Sequence, residues 1–123
     1  MKKFNEVKPL SGFEKDMKKL KRKFRTLDED LKVFTNAQLY PFHKEQIDNG
    51  GTLRIPGLEI ASPPIYKSKK FACKALKGKG VRSGFRVIHA YFKDDDRIEL
   101  IEIYHKTDKE NENTDRIMEH YGS

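Results

Sequence analysis

One stretch of the sequence carries eight basic residues and no acidic residue. The stretch is 66–86, and its basic residues are Lys67, Lys69, Lys70, Lys74, Lys77, Lys79, Arg82 and Arg86. Phe71, Cys73 and Ala75 are predicted to face the core with the period of two that a strand shows. The intervening Lys70 and Lys74 then project together from the opposite, open face of a sheet.

The strands predicted further along the chain add an arginine and a phenol to this open face. Arg86 lies between the apolar residues Phe85 and Val87, so alternation turns it outward. If Ile101 and Ile103 face the core, the residues between and after them face outward. These outward residues are Glu102, Tyr104 and Lys106.

A sheet face lined with lysine, arginine and tyrosine suits a phosphodiester backbone. An arginine can hold a phosphate through two parallel hydrogen bonds, and a tyrosine ring can stack on a base. Neighbouring cations make a lysine less basic, and such a lysine can take a proton from a ribose 2′-hydroxyl. The simpler alternative is that these are exposed strand positions that keep the sheet from aggregating.

The other residues with chemical potential are four histidines and one cysteine. Only His105 lies near the open face, and His89 is predicted to be a hydrogen-bonded, half-buried residue. Cys73 is predicted to pack as a small apolar residue, and it cannot form an internal disulfide. No Cys/His grouping has the spacing of a zinc site, so the sequence predicts no metal and no cofactor.

Composition indicates a single domain, residues 1–123, with a polyanionic partner. The net charge is +7, and 37% of the residues are charged, although the apolar residues are clustered as in a globular core. Basic residues outnumber acidic ones ten to three in residues 1–25, whereas residues 94–123 carry ten acidic and four basic residues. No stretch resembles a signal peptide or a membrane span, and the lone cysteine fits a reducing compartment, so a cytoplasmic location is predicted.

Three helices are predicted. A capping-box pattern at Ser11 precedes apolar residues with helical spacing that continue to Leu27. The same pattern recurs at Thr26, and the second helix is expected to end before Pro41. The last helix is predicted over residues 110–121.

The second half of the chain predicts a three-stranded meander of alternating aromatic, β-branched and polar residues. The strands are 66–76, 84–93 and 97–105. The basic, glycine-rich loop 78–84 and the polar turn 93–96 connect them. Residues 2–7 are predicted to add an edge strand, and the irregular stretch 41–64 one short strand.

This element order is β-α-α-β-β-β-α and predicts an α+β fold. Two amino-terminal helices are expected to pack on one face of a small antiparallel sheet, and a carboxy-terminal helix follows the last strand. The face that carries the cations is expected to stay open.

Three motifs follow one another in the second half of the chain. Phe71-Ala72-Cys73-Lys74 precedes Gly78-Lys79-Gly80, and Ser83-Gly84-Phe85-Arg86-Val87-Ile88 comes next. They resemble the strand, glycine-rich loop and arginine strand of RelE/HigB-type toxins in the RelE/ParE superfamily. Residues 98–110 are similar to the strand and basic turn that precede the last helix of these toxins. The resemblance covers most of the chain except residues 41–65.

The resemblance implies an α+β toxin of a type II toxin-antitoxin system. Such a toxin is a metal-independent endoribonuclease that cuts messenger RNA, often in the ribosomal decoding site, and an antitoxin protein silences it. Lys74 matches its basic strand position, Arg86 its phosphate-binding arginine and Lys106 the basic residue after its last strand. Lys77 and Lys79 match its loop and are candidates for the general base.

The resemblance also implies the remaining parts of an RNA site. Asn111 and Glu112 stand where RelE has a catalytic tyrosine, so Tyr104 or His105 is the expected general acid. The residues expected to bind RNA are Lys67, Lys69, Lys70 and Arg82.

Two other functions remain open at this point. ParE-type toxins of the same superfamily poison DNA gyrase and lack the ribonuclease site, and fold does not separate them from ribonucleases. Lys74, Arg86 and Lys106 favour RNA cleavage over gyrase inhibition. A non-catalytic RNA- or ribosome-binding module would use the basic first helix and loop, and would bind RNA in a salt-sensitive way without cutting it.

Overall fold

The computed structural model describes residues 3–122 and shows an α+β fold built on a five-stranded sheet. The strands are β1 (Glu6–Pro9), β2 (Thr52–Arg54), β3 (Ile65–Ser68), β4 (Phe85–Phe92) and β5 (Arg97–His105). Their order across the sheet is β1-β5-β4-β3-β2. The hairpin of β4 and β5 forms the centre, because both strands are rich in β-branched and aromatic residues and a polar turn joins them. This hairpin is confirmed as predicted.

The edge strand β1 makes the sheet mixed rather than antiparallel. It pairs in parallel with β5, from Glu6 opposite Arg97 to Pro9 opposite Leu100. Parallel pairing requires a long crossover, which the helices and strands between β1 and β5 supply. The predicted edge strand therefore exists, slightly later than residues 2–7, and Lys2 lies outside the described residues.

Helices lie between β1 and β2 and near the carboxyl end. They are α1 (Ser11–Leu20), α2 (Leu27–Phe34), α3 (Tyr40–Lys44) and α4 (Thr114–Tyr121), with a π-helical segment, Thr35–Leu39, joining α2 to α3. Helix α2 itself ends at Phe34, before Pro41 as predicted, but the helical backbone continues without a break through the π-helical segment into α3, which was not predicted. The Tyr40 N–H reaches the Thr35 carbonyl, so the wide π turn leaves Pro41 in the first turn of α3, where no N–H is needed.

Neither of the two predicted capping boxes forms. Ser11 lies inside α1 rather than at its cap, and Thr26 precedes α2 without a capping hydrogen bond from its side chain. Helix α1 also ends at Leu20, although apolar residues continue with helical spacing to Leu27. The chain turns between the two helices instead, and the Thr26 hydroxyl is used elsewhere, as described below.

Both faces of the sheet are covered, so the expectation of an open face is wrong for most of the sheet. One apolar cluster packs α1 and α2 against one face, with Phe13, Phe34 and Phe85 among its buried residues. A second cluster packs α4, through Ile117, and the loop 55–60 against the other face. Helix α4 therefore lies opposite the amino-terminal helices, because the apolar residues of β4 and β5 occupy both faces.

A β-bulge in β5 overturns the predicted alternation. The register between β4 and β5 skips one residue of β5, Ile101, which then packs on the α4 side while Ile103 packs on the α1 side. Glu102 and Tyr104, expected to face solvent, are 2% and 5% exposed. A bulge is not visible in a pattern of alternating residues, so the pattern placed Ile101 and Ile103 on one face. Tyr104 lies opposite Ile103 as predicted and is buried because α4 covers that face.

The first strand of the predicted meander is much shorter than expected. The pattern predicts residues 66–76, but β3 covers Ile65–Ser68. Phe71 and Cys73 are buried as predicted, whereas Ala75 is exposed. Beyond β3 the Phe71 N–H bonds to the Val81 carbonyl, and the Lys74 and Ala75 N–H groups bond to side chains at the start of α2 rather than to a neighbouring strand.

Side chains hold α4 to the rest of the fold. Asn113 caps its first turn by accepting the Arg116 N–H, so the helix starts later than the predicted residue 110. The Arg116 guanidinium donates two hydrogen bonds to Asp16 of α1, at 2.7 and 3.2 Å, and this partner raises the pKa of Arg116. The Tyr121 hydroxyl donates to Glu99 at 2.7 Å, and burial is the main cause that raises its pKa.

Two histidines form a hydrogen bond between α3 and β4. His43 Nε2 lies 2.8 Å from His89 Nε2, and the rings of Tyr91 and Tyr66 stack on them. Burial lowers the pKa of His43 to about 4 and that of His89 well below its usual range. His89 is hydrogen-bonded as predicted but fully buried, and its Nδ1 has no partner among residues 3–122.

We expect the free energy of unfolding to fall as the pH drops from 7 to 5. Both imidazoles are neutral in the folded chain, whereas the unfolded chain takes up protons near pH 6.5, so acid favours unfolding until the pH nears the folded pKa. For His43, with a folded pKa of about 4, the loss is about 2 kcal/mol between pH 7 and pH 5. Urea unfolding at both pH values measures it. The free energy of unfolding of His43→Gln should fall clearly less between pH 7 and pH 5. An equal fall in the variant and the wild type would contradict the attribution to His43.

Candidate nucleic-acid interface

Five cations converge on one cleft at the end of the sheet where β4 begins and β5 ends. The cleft has a volume of about 400 Å³. Its lining residues are Lys69, Lys70, Val81, Arg82, Gly84, Arg86 and Lys106. All five cations are residues for which the sequence predicts a role in RNA binding or cleavage. We refer to this site as the basic cleft.

The cations of the basic cleft have no acidic partner. None of the five forms an ion pair within the described part of the chain. Arg86 is half-buried and donates a long, 3.4 Å hydrogen bond to the Phe85 carbonyl, while Lys69, Arg82 and Lys106 are exposed. Uncompensated positive charge of this density attracts a polyanion.

The loop that forms one wall of the cleft is fixed by backbone bonds. Phe71, fully buried between two other phenylalanine rings, makes an isolated bridge to Arg82. The Phe71 N–H donates to the Val81 carbonyl at 3.2 Å, and the Ser83 hydroxyl donates to the Phe71 carbonyl. These bonds hold Arg82 next to the start of β4, so that it lines the same cleft as Arg86.

Two side chains at the start of α2 hold the outer part of the same loop. The carboxylate of Asp30, 2% exposed, accepts the Lys74 N–H at 3.3 Å and the Thr26 hydroxyl at 2.7 Å. Thr26 Oγ1 in turn accepts the Ala75 N–H at 3.1 Å. The sequence gives no sign of this tether, because an acid in the first turn of a helix is ordinary.

Two glycines allow close approach at the cleft. Gly84 has a φ of +94°, and a Cβ there would lie 2.7 Å from His105 Nε2. A Cβ at Gly51 would lie 2.6 Å from Lys70 Cγ, so the stem of Lys70 passes directly over this glycine. A side chain at either position would displace a residue at or beside the cleft.

Neither of the two predicted general acids is positioned to act in the cleft. His105 Nε2 donates to the Ser83 carbonyl at 2.8 Å, and its Nδ1 accepts the Thr107 N–H at 3.2 Å, which assigns the tautomer and occupies both ring nitrogens. Tyr104 is buried on the α4 side, where burial raises the pKa of its phenol and the nearby Lys67 ammonium opposes that shift. Neither side chain lines the basic cleft.

Four of the predicted site lysines do not line the cleft. They are Lys67, Lys74, Lys77 and Lys79. Lys74 lies 3.6 Å from Glu29 on the exposed side of α2, so its predicted place on a strand beside Arg86 is wrong. Lys67 pairs with Glu112 at 2.9 Å on the α4 side. Lys77 and Lys79 are exposed in the loop.

Five of the eleven predicted site residues therefore line the basic cleft. Other residues that position the cleft were not predicted from the sequence. Asp30 and Ser83 position the loop of the cleft. Ser83 begins the third motif but carries no predicted role, and Asp30 has no sequence signal that separates it from an ordinary polar residue. Among residues 3–122, no three His, Cys, Asp or Glu side chains converge as a metal site, and no helix is long and apolar enough to cross a membrane.

The chain was compared with models of protein families, with curated proteins and with solved structures, and none of them matches it. The functional argument consequently rests on the basic cleft and on the sequence motifs around it.

Proposed function

We propose that the chain is a toxin-type endoribonuclease whose basic cleft holds the phosphate backbone of messenger RNA. The observation that carries the proposal is the convergence of five cations without an acidic partner in the described chain. The resemblance of the motifs to RelE/HigB-type toxins supplies the reaction class. Of the three residues that match catalytic positions in those toxins, Arg86 and Lys106 line the cleft and Lys74 does not.

In the proposed reaction the 2′-oxygen bonds to phosphorus as the bond to the 5′-oxygen breaks, which leaves a 2′,3′-cyclic phosphate. Arg86 and Arg82 stabilise the charge that builds on the phosphate, and Lys106 gives a proton to the departing 5′-oxygen. Lys69 or Lys70 takes the proton of the 2′-hydroxyl, in place of Lys74, because these two lysines line the cleft. The cations balance the phosphate charge, so the proposed reaction needs no metal ion.

A non-catalytic RNA-binding module is the second candidate. It is favoured by the hydrogen bonds that occupy both ring nitrogens of His105, by the burial of Tyr104 away from the cleft and by the pairing of Lys74 with Glu29. RNA that binds in the basic cleft but is never cut, in the presence or absence of ribosomes, would select this candidate.

The proposed resting partner is an antitoxin protein in the cytoplasm. A cleft of unpaired cations is complementary to an acidic segment that folds on contact, and such a segment would exclude RNA from the cleft. Charge attraction should set the rate of this association and make it sensitive to salt.

We expect RNA binding to weaken steeply with salt. If single-stranded RNA neutralises the five cleft cations, the slope of log affinity against log salt concentration is about −3.5. This slope corresponds to about a hundredfold loss of affinity between 50 and 200 mM salt. Fluorescence anisotropy with 2′-O-methyl RNA measures binding without cleavage. Lys106→Ala should reduce the slope by about 0.7, whereas Lys93→Ala, in the turn at the other end of β4, should not change it. A slope near zero would contradict binding at the cleft.

We expect Cys73→Ser to leave RNA cleavage unchanged. Cys73 is 3% exposed, and burial is the main cause that raises the pKa of its thiol, with the Asp30 carboxylate adding to the shift. A buried, protonated thiol is a poor nucleophile. Serine should lower the free energy of unfolding by about 1 kcal/mol, measured by urea unfolding. A folded variant that no longer cuts RNA would show that the thiol takes part in the reaction.

A further inference from the structure

We propose that the RNA-binding surface continues from the basic cleft across the turn between α1 and α2, so that one single strand of RNA spans both. We call the second region the basic turn and define it by Lys21, Arg22, Lys23 and Arg25. The inference rests on the proposed RNA-binding function and adds a second binding region to it.

Aromatic contacts place the basic turn beside the cleft. The ring of Phe24 stacks on that of His105, with centroids 6.1 Å apart and planes 12° apart, and meets the Phe85 ring edge-on at 4.9 Å. His105 adjoins Gly84 through its Nε2 and precedes Lys106, and both of these neighbours line the cleft. A single layer of rings therefore separates the two cationic regions.

The charges of the basic turn are mostly uncompensated. Arg22, Lys23 and Arg25 are exposed and form no ion pair within residues 3–122, whereas Lys21 pairs with Asp28 at 3.1 Å. Lys23 Nζ lies 5.5 Å from the centroid of the Phe24 ring, which brings this ammonium to the ring layer beside the cleft. The positive field of the cleft is thus extended by three further cations.

Helix α1 fixes the basic turn in this position. Strand β1 pairs with β5 only as far as Leu100. Beyond Leu100, α1 lies along β5, and its Asp16 accepts the Ile103 N–H at 3.1 Å. The same carboxylate is neutralised by Arg116, so it does not oppose the positive charge of the turn. The exposed side of α1 carries further lysines, with Glu14 as its exposed acid. These lysines are Lys15, Lys18 and Lys19.

The occupant that suits two separate cationic regions is a flexible single strand of RNA. A flexible single strand can bend across the layer of aromatic rings and place phosphates in both cationic regions. A duplex is stiff, and the spacing of its phosphates is fixed by the helix. A strand that reaches only the cleft should be too short to contact Arg22 or Lys23. Affinity should therefore depend on length in a way that the basic turn controls.

The test compares 2′-O-methyl RNA of about four and about twelve nucleotides, within the range of sizes that single-strand binding sites show. Fluorescence anisotropy measures their affinity for wild type, for Arg22→Ala/Lys23→Ala and for Lys8→Ala/Lys93→Ala. The second variant is a matched control, because it also removes two exposed cations but near the turn between β4 and β5, at the opposite end of the sheet.

We expect the basic-turn variant to bind the longer RNA about tenfold more weakly, with the salt slope reduced by about 1.4, and to bind the shorter RNA as wild type does. The control variant should match wild type on both RNAs. The inference is overturned if the basic-turn variant loses equal affinity for both lengths, or if the two double variants behave alike. If the shorter RNA binds in a Lys106-dependent way without any effect of length, only the inference fails. If wild type binds neither RNA, the proposed function fails with it.

Discussion

Arg86→Ala should lower the rate of RNA cleavage by a hundredfold or more and leave the fold intact. Arg86 is the half-buried arginine of the basic cleft, and the rigid hairpin of β4 and β5 holds its backbone. Loss of a preorganised group that stabilises charge in the transition state costs on the order of a hundredfold in rate. The side chain makes one long hydrogen bond, to the Phe85 carbonyl, so the free energy of unfolding should change by less than about 1 kcal/mol.

Single-turnover cleavage and urea unfolding of the same preparations test this prediction. Arg54→Ala is the matched control, since Arg54 is an exposed arginine on the edge strand β2 and does not line the cleft. The control should cut RNA at the wild-type rate, and growth arrest on expression should vanish only with Arg86→Ala. Cleavage at the wild-type rate by Arg86→Ala would remove Arg86 from the proposed site.

Asp30→Ala should lower the free energy of unfolding by about 2–4 kcal/mol and weaken RNA binding several-fold. The buried carboxylate accepts the Lys74 N–H and the Thr26 hydroxyl. Alanine leaves the Lys74 N–H without a partner and the Thr26 hydroxyl with only a long, 3.9 Å contact to Cys73 Sγ. Each unsatisfied buried donor costs about 1–3 kcal/mol. The loop that carries Arg82 then loses its tether to α2, so the wall of the cleft becomes less well defined.

Asp28→Ala separates this effect from a general loss of negative charge in α2. Asp28 is exposed and pairs with Lys21 at 3.1 Å, and an exposed ion pair contributes about 0–1 kcal/mol. Urea unfolding should therefore show a large loss for Asp30→Ala and a small one for Asp28→Ala. Similar losses for the two variants would mean that Asp30 does not act through the loop.

The features that the sequence predicted correctly depend on local pattern. Strand β5 spans residues 97–105 as predicted, because β-branched and aromatic residues are dense there and a polar turn precedes them. Phe71 and Cys73 are buried as predicted. Arg86 and Lys106 come together because Arg86 lies at the start of β4 and Lys106 directly follows the paired end of β5, where its N–H bonds to the Gly84 carbonyl.

The features that the sequence did not predict depend on contacts between distant residues. Lys74 lies outside the cleft, and its N–H bonds to the carboxylate of Asp30, 44 residues earlier, instead of to a neighbouring strand. Tyr104 is buried because α4 covers the second face of the sheet, on which Tyr104 lies opposite Ile103. Pro41 lies inside a continuous helix because a π turn accommodates it. Alternation, helical spacing and residue type contain no information on these contacts.

The most direct test of the proposed activity incubates wild type and Arg86→Ala with messenger RNA in excess chelator, with and without translating ribosomes, and maps the ends of any fragments. We predict that wild type cuts RNA in the chelator and leaves 2′,3′-cyclic phosphate ends, and that Arg86→Ala does not. If wild type cuts nothing in either setting, or cuts only when metal is added, the proposed ribonuclease function is contradicted.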